Sequence, residues 1–192
     1  MYKKVVIADD EPITRMDLKE ILEDSGYEVV GEASDGFDAV ELCRKYSPDL
    51  VLMDIKMPLL DGLNASKIIQ EENLADCVVL LTAYSGPEFI EKAKKIGAMG
   101  YIVKPVDEKS LIPTLEVAIA KGKEFKKIKT DIEKVNQKLE ERKVIEKAKG
   151  ILMNRDNISE QDAYNTLRKL SMDKRCSMRS IAEAIILSSN EG

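Results

Sequence analysis

Apolar runs of four recur along the first hundred residues: Val5-Val6-Ile7-Ala8, Leu50-Val51-Leu52-Met53, Val78-Val79-Leu80-Leu81 and Gly100-Tyr101-Ile102-Val103. Runs this short and this continuous predict parallel strands buried on both faces. A further strand is expected over 28–33. Between the runs, apolar residues fall at helical spacing. Ile13, Met16, Ile21 and Leu22 mark a helix over 12–25 that stops at Gly26, and Phe37, Val40 and Leu42 mark one over 36–46 before Pro48. Segments 63–71, 87–96 and 108–120 supply three more, with Gly62, Gly86 and Gly97 at the turns. Five strands and five helices in strict alternation predict an α/β fold, a five-stranded parallel sheet wrapped by helices.

From residue 122 the pattern changes. Charges dominate, and the next glycine or proline after Gly122 is Gly150, so a long helix is expected. Phe125, Ile128, Ile132, Val135 and Leu139 are spaced 3, 4, 3, 4, an a/d seam of a little over two heptads. Such a seam can pair two chains as a coiled coil or pack on its own domain; pairing is the favoured reading. Ile145, Ala148 and Leu152 continue an apolar stripe, followed by a turn at 154–157. Ser159 is a candidate N-cap for a helix carrying Ala163, Leu167 and Leu170. After a turn at 173–175, Ser177 caps a helix with Met178, Ile181, Ala182, Ile185 and Ile186 on one face. The division is 1–121 for the α/β domain, 122–140 for a coiled-coil linker and 135–192 for a small three-helix all-α domain.

Composition and charge sharpen this picture at four points. The chain of 192 residues contains no histidine, which excludes imidazole acid–base chemistry and histidine-ligated metals. Cys43, Cys77 and Cys176 are odd in number and lack metal-ligand spacing, so they read as reduced, packed thiols. No uncharged apolar run reaches membrane-spanning length and the N-terminus leads into a strand, so no membrane association and a cytoplasmic location are expected. The net charge of −5 hides an asymmetry: residues 1–121 carry 14 Lys/Arg against 23 Asp/Glu, and residues 136–192 carry 11 against 9. An acidic front half suits cation binding, and a mildly basic rear half permits a polyanionic partner.

The candidate chemistry sits where the apolar runs end. Asp9 and Asp10, Asp54, Thr82 and Lys104 each follow a run directly or close it. In open parallel sheets ligands bind beyond the carboxyl ends of the strands, where strand order switches. A hard divalent cation such as Mg²⁺ takes about six oxygens, often from one or two carboxylates with waters and phosphate. Three carboxylates supply that, while a lysine and a hydroxyl answer charge on a phosphoryl group attacked by Asp54. A single strand-end Asp is as readily a helix cap; the five together are not.

These residues resemble the receiver domain of two-component response regulators, over residues 3 to about 120. The resemblance rests on Asp9-Asp10-Glu11, on Met53-Asp54-Ile55-Lys56-Met57-Pro58 with Asp61-Gly62, on Leu81-Thr82-Ala83 and on Lys104-Pro105. It implies a flavodoxin-like sheet and Asp54 as phosphoacceptor for a sensor histidine kinase. It also implies Mg²⁺ held by Asp9, Asp10, Asp54 and the Lys56 backbone carbonyl, phosphate readout by Thr82 and Lys104, Tyr101 as a switch aromatic, and a cis Lys104-Pro105 peptide. The competing reading, a phosphatase of the haloacid-dehalogenase type, requires a second acid two residues after the nucleophile. Lys56 stands there, so the receiver is a switch and not a turnover enzyme.

The tail is similar to the ANTAR domain of AmiR/NasT-type antiterminators, from about residue 135 to 188. The similarity rests on Ala148-Lys149-Gly150-Ile151-Leu152-Met153, Ala163-Tyr164, Leu167-Arg168 and Leu170-Ser171-Met172. It implies binding to hairpins in nascent leader mRNA, so that a terminator does not form. Arg142, Lys149, Tyr164, Arg168 and Arg175 are the candidate RNA contacts, since hairpin loops offer unstacked bases and phosphates. A DNA-binding helix-turn-helix is the alternative. Ser177-Met178-Arg179-Ser180 is poor in the long polar side chains a recognition helix presents. The expected assembly is a homodimer formed on phosphorylation, and the overall pattern looks like the ethanolamine-utilisation members of the group.

Overall fold

The computed structural model describes residues 2–83 and 86–189, with the side chains of Pro87 and Phe89 outside the description. Five strands, β1 (Lys3–Ala8), β2 (Tyr27–Ala33), β3 (Leu50–Asp54), β4 (Cys77–Thr82) and β5 (Gly100–Val103), alternate with α1 (Pro12–Asp24), α2 (Gly36–Tyr46), α3 (Gly62–Glu71) and α4 (Pro87–Lys95). All pairings are parallel and the spatial order is β2-β1-β3-β4-β5. The order reverses between β1 and β3, which opens a crevice at their carboxyl ends.

The period-two alternation of side chains along each strand feeds two separate cores. Val5, Ile7, Leu50, Leu52, Val79 and Leu81 face Leu18 and Leu22 of α1 and Leu111 and Leu115 of the fifth helix. Val6, Ala8, Val51, Met53, Val78 and Leu80 face Val40, Ala65, Ile69 and Ala93 from α2, α3 and α4. Covering both faces explains why the strands read as unbroken apolar runs. The loops between are fixed by caps: the Asp35 carboxylate accepts from the backbone of Phe37 and Asp38, and Asp61 accepts from Asn64 N.

The break expected near residue 121 is absent. One helix, α5, runs from Glu108 to Asp156. Gly122 lies inside it because the helix there crosses the start of β4 too closely for a side chain. A methyl group at that position would sit 2.7 Å from the Asp76 carbonyl oxygen and 2.8 Å from Cys77 Cβ. Two compact units follow, residues 1–127 and 128–192, with α5 contributing to each.

In the second unit α5 is joined by α6 (Glu160–Lys174) and α7 (Met178–Ser189). Ala148, Leu152, Ala163, Leu167 and Ala182 form its buried centre, flanked by Val144, Ile145, Met178, Ile181, Ile185 and Ile186. Both turns come later in the chain than expected, at 157–159 and 175–177. The first turns on Asn157, at φ 51°, and the second on Arg175, at φ 52°, each a left-handed residue that stops its helix within one position. Ser159 caps α6 through Asp162 N, and Ser177 Oγ accepts from Ser180 N at 3.1 Å.

Candidate functional site

Strand register brings the five strand-end residues together. Ala8 pairs with Met53, so Asp9 lies beside Asp54; Asp54 pairs with Leu81, and Thr82 pairs with Val103, so Thr82 and Lys104 complete the row. The backbone is stitched beyond the strands by Ile55 N donating to the Leu81 carbonyl at 3.1 Å and Lys104 N to the Thr82 carbonyl at 2.8 Å. Asp9 and Thr82 are buried, Asp54 is 7% exposed, and Asp10 is exposed at the rim.

Lys104 Nζ stands 2.7 Å from Asp9 Oδ2 and 3.1 Å from Asp54 Oδ2. The other Asp54 oxygen, Oδ1, accepts from Ile55 N at 2.7 Å. Burial raises the Asp54 carboxyl above its ordinary value against the lowering effect of Lys104. Burial works to lower the Lys104 ammonium, but its contacts with Asp9 and Asp54 outweigh this and raise it. One carboxylate oxygen of each of Asp9, Asp10 and Asp54 lies within 4.8 Å of the others. Asp9 Oδ2 has no aligned hydrogen bond despite its closeness to Lys104. Three carboxylate oxygens this close together are hard donors that fit an oxygen-seeking divalent cation.

Around this cluster, Lys56 is exposed and Tyr101 is half-buried against the core shared by α2, α3 and α4. The Lys104-Pro105 peptide is cis. Gly62 opens α3 against the end of β3: a methyl group there would come within 1.8 Å of the Asp54 carbonyl oxygen. Arg15 belongs to the site although the strand-end pattern does not point to it. Its Nη1 donates to the Asp9 carbonyl at 2.6 Å, and Asp9 Oδ1 accepts from Glu11 N at 3.0 Å, so both sides of the acidic turn are held. Its signal in sequence is only a cation on the first turns of the helix that follows the acidic pair.

In the second unit, Arg142, Tyr164, Arg168 and Arg175 are exposed. Lys149 is not available as an RNA contact. Its side chain is 8% exposed and its Nζ is held at 3.0 Å by Glu146 and at 2.7 Å by Glu160, tying α5 to the start of α6. The seam residues Phe125, Ile128, Ile132, Val135 and Leu139 are all at least half exposed. None of the helices among the described residues is long and apolar enough to cross a membrane.

Comparison with known proteins places this geometry. Residues 5–116 match the response regulator receiver domain and residues 133–186 match the ANTAR domain. The transcriptional regulatory protein PdtaR of Mycobacterium tuberculosis (strain H37Rv) is 41% identical over 184 residues, covering 96% of this chain and 89% of that protein. The chemotaxis protein CheY of Halobacterium salinarum is 40% identical over 115 residues, covering 60% and 95%. Among solved structures, Vibrio cholerae CheY4 superimposes with a TM-score of 0.57 at 30% identity, over 60% of this chain and 98% of that one. The CheX-CheY-BeF₃-Mg²⁺ complex of Borrelia burgdorferi gives 0.56 at 28%, over 59% and 86%. The likeness to PdtaR covers both domains and says nothing about ethanolamine utilisation.

Proposed function

The chain belongs to the response regulators that join a receiver to an ANTAR domain, and from that membership we propose that phosphorylation of Asp54 controls the binding of leader-mRNA hairpins by the output domain. Binding keeps a terminator hairpin from forming, so transcription continues. The observation that carries the reading is the single lysine, Lys104, shared between the acceptor Asp54 and Asp9 at the crevice of a sheet whose own chain continues into an ANTAR domain.

A sensor histidine kinase in the cytoplasm is the donor. Asp54 attacks the phosphorus of the kinase's phosphohistidine; the new P–O bond forms as the P–N bond breaks, and the imidazole leaves with the electron pair. Asp54 is suited to this because burial keeps its carboxylate poorly solvated, while Lys104 holds it oriented. Asp9, Asp10, Asp54 and the Lys56 carbonyl would hold Mg²⁺, which when bound offsets the charge of the carboxylates and of the incoming phosphoryl group. A Mg²⁺-bearing complex of a related CheY supports that assignment. Lys104 exchanges a carboxylate for a phosphoryl oxygen, and the Thr82 hydroxyl donates to another. Tyr101, half-buried on the neighbouring strand, is the side chain that follows Thr82.

The output is a homodimer. Phe125, Ile128, Ile132, Val135 and Leu139 offer a seam for a second copy, and two linked output domains bind two RNA elements far more tightly than one. Arg142, Tyr164, Arg168 and Arg175, all exposed, are the candidate RNA contacts. The test is to treat the chain with acetyl phosphate and Mg²⁺ and measure its mass, its oligomeric state and its affinity for stem–loop RNA, with Asp54→Ala alongside. A rise in affinity confined to the wild type supports the coupling. Equal affinity before and after phosphorylation removes it, and a preference for duplex DNA replaces the RNA reading.

A further inference from the structure

Gly150 stands in the interior of α5, where glycine weakens a helix, and nothing in the fold explains it. A methyl group at Gly150 would meet no atom within 4 Å, in contrast to Gly122 of the same helix. Glycine without a packing role inside a helix leaves bare backbone for something to approach closely. What lies along the same face says what that is. At about 100° per residue, Lys143, Lys147, Gly150 and Asn154 fall within an arc of roughly 60°. Lys143, Lys147 and Asn154 are exposed. Lys147 has no hydrogen-bond or ion-pair partner among the described residues.

The carboxylates that flank this stripe are already engaged. Glu146 is held by Lys149 at 3.0 Å, and Glu140 lies 2.7 Å from Lys143 in an exposed pair that a phosphate can displace. Beside the stripe runs a groove of about 480 Å³ between α5 and α7, lined by Val144, Ile186 and Leu187 with Lys143 and Lys147 along one wall. Glu183 on the opposite wall is held by Arg179 at 2.8 Å. Leu187 is 67% exposed, an apolar side chain with no cover.

We infer that the Lys143–Lys147–Gly150–Asn154 face of α5 and the adjoining groove form the surface that grips single-stranded RNA in a hairpin loop. The phosphodiester backbone passes over Gly150 between the two ammoniums and the Asn154 amide, and an unstacked base lies against Val144, Ile186 and Leu187. This chemistry matches RNA loops, which present splayed bases and phosphates together. It rests on the RNA reading of the output domain and adds to the candidate contacts a second face of α5, which already carries Arg142.

The experiment uses the full-length chain, phosphorylated with acetyl phosphate, and a stem–loop RNA pool with randomised loops. Gly150→Ala separates folding from binding, because the methyl group fits the fold and favours the helix. Its thermal midpoint should equal or exceed that of the wild type while RNA affinity falls at least tenfold. Lys147→Gln should weaken binding across all loop sequences and reduce the dependence of log affinity on log salt by about 0.7 to 1, the loss of one phosphate contact. Leu187→Asp should weaken binding without that change in slope. Wild-type affinity in Gly150→Ala and Lys147→Gln overturns the surface and leaves the RNA reading standing. A wild-type chain that binds no member of the pool overturns both.

Discussion

At the residue scale, burial sets the titration of Asp54. Its carboxyl is raised above 3.8, chiefly by burial, so the folded state holds the proton more tightly than the unfolded chain does. A group shifted in that direction favours folding fully below the unfolded value and loses that contribution as pH rises through the folded value. In Mg²⁺-free buffer, wild-type stability relative to Asp54→Asn should therefore decline as pH rises from about 4, the unfolded carboxyl value, as read by urea unfolding of both. Asp54→Asn should also gain no mass from acetyl phosphate. The thiols give an independent check: burial pushes Cys43 and Cys77 up to about 12, whereas Cys176 is part-exposed. At neutral pH one thiol should react readily with a disulfide reagent, and two only on unfolding. Asp9, Asp10, Asp54, Thr82 and Lys104 were legible because a strand end is visible in one dimension. The role of Lys149 was not, since its neutralising partner Glu160 lies across a turn on another helix.

At the scale of elements, two glycines of similar appearance in sequence do two different things. Gly62 lets α3 begin against the end of β3, and Gly62→Ala forces a methyl group into the Asp54 carbonyl oxygen. The expected loss is about 3 kcal/mol, at the upper end for overpacking, together with slowed phosphorylation as Asp54 shifts. Gly122→Ala meets the Asp76 carbonyl at 2.7 Å, a milder conflict. It should cost about 1 to 2 kcal/mol, with helix propensity offsetting part, and hydrogen exchange should rise over residues 108–127. Beside Gly122, Lys123 is 3.3 Å from Asp49 and Lys126 pairs with Asp76, so the same crossing is also held by exposed ion pairs. Periodicity located nearly every helix and strand correctly and failed at this one, because a glycine in a charged stretch has the same letter whether it ends a helix or admits a neighbour.

For the whole molecule, the question is whether one helix can serve both a dimer seam and a folded output domain. Within residues 128–156 it can. Ile128, Ile132, Val135 and Leu139 cluster on one side of α5, and Val144, Ile145, Ala148 and Leu152, which build the bundle core, fall roughly 180° away by helical rotation. Pairing of two chains therefore need not expose the core. The apolar a/d repeat also ends where the bundle begins: the next a and d positions are Arg142, Glu146 and Lys149, the last drawn into the fold. Replacing Ile132 and Val135 by Glu should then abolish the phosphorylated dimer in analytical ultracentrifugation and leave both domains folded by circular dichroism. Uptake of phosphate at Asp54 should persist, since the pocket lies in residues 1–127. Affinity for an RNA bearing two hairpins should drop by about 10² or more, while affinity for a single hairpin changes little, because only the linkage of two sites is lost. Binding and dimerisation are reciprocal, so two-hairpin RNA should in turn promote dimerisation of the unphosphorylated wild type. A seam variant that still bound two hairpins as tightly as one continuous site would show that the output domain acts alone, and that Asp54 reports to it by another route.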